Sequence, residues 1–131
     1  MVGNSLKYGQ IVYLKKGSLQ YDLASMVDMS DTTMLKKLGT RPYVILSGNK
    51  ANSALKTVRV CPLKTVRNPD KLKKYSLVYH DDDGILREIL YREMTTLLQE
   101  YLIGSNKFVP EDKLIEAYQM DRIYILNREE G

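Results

Sequence analysis

The alternation of apolar and polar residues along the chain predicts a small sheet followed by one helix. GQIVYL, residues 9 to 14, sets Ile11 and Tyr13 against Val12 and Leu14 and reads as a first strand, ended by Lys15, Lys16 and Gly17. PYVILS, from Pro42 to Ser47, reads as a second, with the proline at its start because proline brings no N–H to a strand ladder. A polar bend, SGNKANSALK, leads to a third strand at Thr57 to Leu63. Here Thr57, Arg59 and Cys61 alternate with Val58, Val60 and Pro62, the pattern of a one-sided strand or one near an edge. RNPDKLKK is a solvated loop, Tyr75 to Tyr79 a fourth strand, and DDDG the turn that returns it into Ile85 to Tyr91. REMTTLLQEYLI, beginning at Arg92, fits a helical face or a strand extension equally well.

The last element is a helix over about 110 to 126. Pro110 and Glu111 suit a first turn; Leu114, Ile115, Tyr118 and Ile125 can share an apolar face, with Met120, Ile123 and Leu126 at its edges and NREEG as a frayed tail. The fold class expected is α+β, a small mixed or antiparallel sheet with this helix packed against it. A chain of 131 residues fits one domain, 1–131, with a modest core. The long inter-strand loop at 15–38, carrying Leu23, Met26, Val27, Met29 and Met34, is either a lid or partner-binding flap or a linker whose methionines close over one core edge.

Several function classes fall away. The longest apolar runs are far short of the roughly 20 residues that cross a bilayer, and the start MVGNSLKYGQ lacks the apolar segment of a secretory signal, so no membrane is expected and the cytoplasm is the expected location. The single Cys61 has no internal partner and reads as a buried thiol. Only His80 and Cys61 offer nitrogen or sulfur to a metal, and Asp81, Asp82 and Asp83 before Gly84 read as a hairpin turn, so no metal and no cofactor are expected. His80 reads as a solvated imidazole. Gly39 and Gly48 lack the spacing of a phosphate-binding glycine loop.

Charge changes the picture more than composition does. The formal net charge is +4, yet residues 50–74 carry a net +7 and residues 81–131 a net −6. Such a basic block collects phosphates, while the acidic remainder limits indiscriminate coating of nucleic acid. Within it, Lys64 and Thr65 stand at the exit of the third strand and Arg41 at the mouth of the second. Antiparallel pairing would bring them together across more than twenty residues of chain. A guanidinium fork and a second donor near an attacking or leaving oxygen suit phosphoryl chemistry, and RNA supplies its own nucleophile, the 2′-hydroxyl. Arg41 is then an electrostatic stabiliser, Lys64 a neutraliser of phosphate or proton donor, and Thr65 an orienting hydroxyl. The plain alternative pairs Arg41 with a carboxylate and leaves Lys64 facing water. Lys15, Lys16, Arg59, Arg67, Lys71 and Lys73 are the candidate phosphate contacts, with 15–38 and 64–74 as walls of the groove.

These residues resemble the MazF/PemK family of toxin ribonucleases. The likeness is carried by GQIVYL, by GTRPYVILS followed by Asn52, by VRVCPLKT and, more faintly, by YREMTTL, and it touches most of residues 9 to 126. It implies a strongly curved, barrel-like, mostly antiparallel sheet with helices, a homodimer, a cognate antitoxin partner, and metal-independent cleavage of single-stranded RNA that leaves a cyclic phosphate and a free 5′-hydroxyl. Arg41 matches the family's catalytic arginine. The catalytic threonine falls on Lys64, with Thr65 one place later. Thr65 can take that role only if the strand has ended or bulges there; otherwise Lys64 performs it or the site is degenerate. The loop from Lys15 to Leu38 is longer than in the family. The fold is also similar to that of toxins that poison DNA gyrase, which keeps open a non-catalytic module binding RNA or a protein target.

Overall fold

The computed structural model describes residues 6–15 and 41–130, with side chains described as far as Arg122. The loop expected at 15–38, with Lys16, Met26, Met29 and Met34, lies outside the described residues apart from Lys15. Seven strands make one sheet: β1 (Gln10–Leu14), β2 (Tyr43–Ile45), β3 (Thr57–Thr65), β4 (Val78–His80), β5 (Leu86–Ile89), β6 (Thr95–Leu98) and β7 (Leu102–Phe108). They lie in the order β4-β5-β3-β2-β1-β7, with β6 also paired to β3, and every pairing is antiparallel. The sheet is curled but not closed. Two helices complete the described chain, α1 (Asn49–Ala54) and α2 (Glu111–Glu130).

β3 is the axis of the molecule, a correction to the one-sided or near-edge strand expected from its alternation. One flank pairs with β2; the other meets β6 along Thr57–Val60 and β5 along Leu63–Thr65. Pro62 falls where the partner changes from β6 to β5, so its missing donor breaks no ladder bond on that flank, and its carbonyl accepts from Leu90 N at 2.9 Å. β3 also runs two residues past Leu63, because Lys64 and Thr65 pair with Glu88 and Arg87.

Alternation along β3 divides the core. Cys61 and Leu63 join Ile11, Val44, Ile89 and Leu114 on one face, while Val58 and Val60 join Val12, Tyr43, Ile45 and Leu97 on the other. The Cys61 thiol is fully buried, as expected, and desolvation, then the charges of Asp121 and Glu93, push it up to about 12.

Other elements depart from the sequence reading. The polar bend contains α1, seated by Asn52, which is buried and donates to Ser47 O at 2.9 Å while its Oδ1 accepts from Ser47 Oγ. The fourth strand starts later, at Val78, and the ambiguous stretch after Arg92 becomes β6, a short 3₁₀ turn and then β7, which was not foreseen as a strand of its own. Both are held non-locally, β6 on β3 and β7 on β1; local periodicity left the first open between helix and strand and carried no sign of the second. Helix α2 continues to Glu130 with no frayed tail before it, and its buried contacts are Leu114 and Ala117; Ile115 and Tyr118 are exposed by 47% and 41%. Tyr118 is tethered by its hydroxyl, which donates to Leu46 O. The side chains of Ile123, Ile125 and Leu126 lie outside the described residues.

The DDDG turn forms as expected. Asp81 Oδ1 accepts from the amides of Asp83 and Ile85 at 2.9 Å, and Gly84 takes the left-handed φ of 78°. His80, just before it, is exposed. Among the described residues no helix is long and apolar enough to cross a membrane.

Candidate nucleic-acid cleft

The site is built where β2 begins and β3 ends. Tyr43 lies across from Pro62, and Leu63 N donates to Pro42 O at 2.9 Å. One more step of that register sets Arg41 opposite Lys64. Cross-strand partners project from the same face, so both side chains share the side of Tyr43 and Val60. On its other flank Lys64 stands opposite Glu88 of β5. Arg41, Lys64 and Glu88 therefore form a row across three strands, roughly 10 Å from end to end at two inter-strand spacings.

This row borders a cleft of about 630 Å³. Its opposite wall is the segment after β3, folded around the 3₁₀ turn Pro69–Lys71, which Asn68 caps by accepting from Asp70 N at 3.2 Å. Six cations line the cleft, Arg41, Lys64, Arg67, Lys71, Lys73 and Arg92, against one carboxylate, Glu88. Such an excess focuses positive potential into a concave surface and attracts a polyanion. Among the described residues no group of three or more His, Cys, Asp or Glu side chains is placed to hold a metal ion.

Arg41 also makes the ion pair that the plain alternative foresaw. Its Nη1 lies 3.7 Å from Glu93 Oε1, with the arginine side chain 26% and the glutamate 53% exposed. A pair this long and wet contributes about 0–1 kcal/mol, so a phosphate can displace it, and it occupies few of the five guanidinium donors.

Thr65 points the other way. β3 neither ends nor bulges before it: Lys64 opposes Glu88 and Thr65 opposes Arg87 in unbroken register. Its Oγ1 accepts from Arg87 Nη1, and Arg87 Nε donates to Asp81 Oδ2 at 3.0 Å. The Asp81 carboxyl is held below its usual range: desolvation, the largest single influence, raises it, and the hydrogen bonds from Ile85 N, Arg87 and Asp83 N with the charge of Arg87 together outweigh that. Thr65 thus borders the cleft at its rim while its hydroxyl is engaged behind it.

Of the candidate phosphate contacts, Arg67, Lys71 and Lys73 line the cleft. Arg59 does not; it is exposed on the far half of β3, opposite Thr96, on the strand face of Cys61. Lys15 follows β1 with its amide donating to Tyr101 O at 2.8 Å, away from the cleft lining. Lys16 lies outside the described residues. Glu88 and Arg92 were missed. Glu88 is one polar position in an alternating strand, and only the β3–β5 register sets it beside Lys64.

The architecture matches known folds closely in extent and weakly in sequence. MazF from Deinococcus radiodurans superposes with a TM-score of 0.64 at 15% identity, covering 92% of this chain and 96% of that one. An endoribonuclease in complex with its cognate antitoxin, from a mycobacterial species, superposes with a TM-score of 0.59 at 18% identity, covering 89% and 94%. A MazE–MazF complex from D. radiodurans gives 0.62 at 16% identity, covering 92% and 95%. No protein-family model and no curated protein matches the chain. The chain has the fold of the MazF toxins.

Proposed function

We propose that this protein is an endoribonuclease toxin that cleaves single-stranded RNA at the cleft between β2 and the segment after β3. The observation that supports the reading is that Arg41 and Lys64 line one cleft together with four further cations and a single carboxylate. The scissile phosphate lies over the row Arg41, Lys64, Glu88. Glu88 takes the proton of the 2′-hydroxyl as the oxygen attacks phosphorus, Arg41 holds the non-bridging oxygens as charge grows on them, and Lys64 gives a proton to the departing 5′-oxygen. The new O2′–P bond closes a cyclic phosphate, the P–O5′ bond breaks to leave a 5′-hydroxyl, and proton exchange with water resets Glu88 and Lys64. Arg67, Lys71 and Lys73 hold flanking phosphates, and Thr65 positions the rim through Arg87.

In this reading the protein works in the cytoplasm as a homodimer silenced by an antitoxin that covers the cleft, as the bound antitoxin of the mycobacterial endoribonuclease suggests. Mixed-sequence single-stranded RNA incubated with the full chain in EDTA should yield discrete cuts ending in cyclic phosphate, and Arg41→Ala should abolish them. Uncut RNA would sink the reading.

One observation favours a second reading, a module that holds RNA or a protein target such as DNA gyrase without cutting. Arg41 is already paired with Glu93, and a lysine stands where the resemblance expects threonine. Salt-sensitive RNA retention without product would mark the RNA-holding form.

A further inference from the structure

Behind the cleft, on the opposite face of the same strand ends, lies a separate cavity of about 270 Å³. It shares Pro42, Leu63 and Thr65 with the cleft and is otherwise lined by different side chains. Ile11, Pro42 and Leu63 supply apolar surface, and Tyr13 and Phe108 line it while 45% and 51% exposed. Its polar lining includes Thr65, Asp81 and Arg87, which are tied to one another, and beside them Asp82, Lys107 and the phenol of Tyr79. Tyr79 is only 5% exposed, yet its hydroxyl has no hydrogen-bond partner among the described residues. Leaving a buried hydroxyl unpaired is costly, so a group retained in that state beside a cavity points to a ligand that pairs with it.

We propose that this cavity is a subsite for one unstacked nucleobase of the bound RNA. The proposal rests on the reading of the cleft as an RNA site and extends it around the end of β3. The size suits one ring system and is too small for a length of chain. Exposed aromatic rings at the opening offer the stacking surface that single-stranded bases use, and a buried hydroxyl gives hydrogen-bond readout of the base edge. Lys107 is held only by a surface pair with Asp83 at 3.0 Å and can turn to a base carbonyl, while Asp82 accepts from a ring N–H. A carbonyl beside a ring N–H is the edge of uracil and guanine, so keto bases fit this donor and acceptor set better than adenine or cytosine. Continuity with the cleft through Pro42 and Thr65 lets one strand place a phosphate on Lys64 and an adjacent base behind it.

The test uses the full chain and the four nucleosides, which carry no phosphate and so make no use of the cleft cations. Ring resonances of Tyr13 and Phe108 are followed by NMR. Uridine and guanosine should shift them saturably and bind more tightly than adenosine and cytidine. Tyr79→Phe should raise the Tm of the free protein, by removing an unpaired buried hydroxyl, and weaken nucleoside binding about tenfold, the equivalent of one hydrogen bond. Phe108→Ala, at an exposed position, should weaken it without unfolding the chain. Arg41→Ala should bind nucleosides as the parent does. Nucleoside binding in a chain that cuts no RNA supports the subsite and defeats the cleavage reading. Cleavage with no nucleoside binding, or binding unchanged in both Tyr79→Phe and Phe108→Ala, overturns the subsite and leaves the nuclease standing.

Discussion

Lys64 and Thr65 are neighbours at the end of β3, and the two faces they open onto are built on opposite electrostatic plans. On the Thr65 face the cations are matched: Arg87 is tied to Asp81 and to Thr65, and Lys107 to Asp83. On the Lys64 face Arg67, Lys71 and Lys73 stand with Lys64 around one cleft, none of them in an ion pair among the described residues, and Glu88 is the one carboxylate in the lining. Crowded like charges repel, and a chain built for stability alone would interleave acids among them. A local excess of this kind, next to a face where the same chain pairs its charges, raises the positive potential over the cleft and favours an anion there. The lesson is that alternation along one strand suffices to separate a face of paired charges from a face of crowded cations.

The comparison breaks most sharply at Lys64. Lys64→Ala should lower single-turnover RNA cleavage by about 100- to 1,000-fold with Tm little changed, as for loss of a group acting on developing charge. Glu88→Gln should cost about 100-fold and remove the acid limb of the pH–rate profile, because the carboxylate must be ionised to accept a proton. An unchanged acid limb would take the base role from Glu88.

The next effect belongs to the buried core that holds the row in place. The Cys61 thiol titrates at about 12 in the folded protein and near 9.0 when unfolded, so its contribution is complete below pH 9 and declines as pH rises toward 12. At pH 10 the loss is on the order of 1 kcal/mol. Chemical denaturation across pH 8 to 11 should show this decline, and Cys61→Ala, although less stable throughout, should show a shallower one. The smallest effect is on the other face. Thr65→Val removes the acceptor for Arg87 and should cost about 1 kcal/mol of stability with cleavage within about threefold of the parent. Cleavage as low as in Lys64→Ala would erase the distinction between the two faces.

Much of this was legible in the residue pattern. The strands at GQIVYL, PYVILS and TVRVCPL, the DDDG turn and the terminal helix all arise from short-range chemistry: alternation, a proline at a strand mouth, aspartates and glycine where the chain must reverse. The meeting of Arg41 and Lys64 was also foreseeable, since adjacent antiparallel strands place the mouth of one beside the exit of the next. Not legible were α1, whose seat is the buried Asn52, and β7, and β6 was legible only as one of two alternatives; β6 and β7 exist because β3 and β1 offer ladder partners far away in sequence. Ile115 was expected inward and is exposed, while Leu114 and Ala117 carry the helix's buried face.

By itself the chain's order of residues determined several of the strands, the terminal helix and the basic middle segment, because each depends on neighbours a few positions apart; that Arg41 and Lys64 share one end of the sheet followed only from taking their strands as antiparallel neighbours. Tertiary structure alone decided that Glu88 stands beside Lys64, that Thr65 turns away to Arg87, and that the buried Tyr79 hydroxyl has no hydrogen-bond partner among the described residues. Those outcomes depend on the register between strands, where a slip of one residue exchanges the two faces, and register is set by packing over the whole sheet.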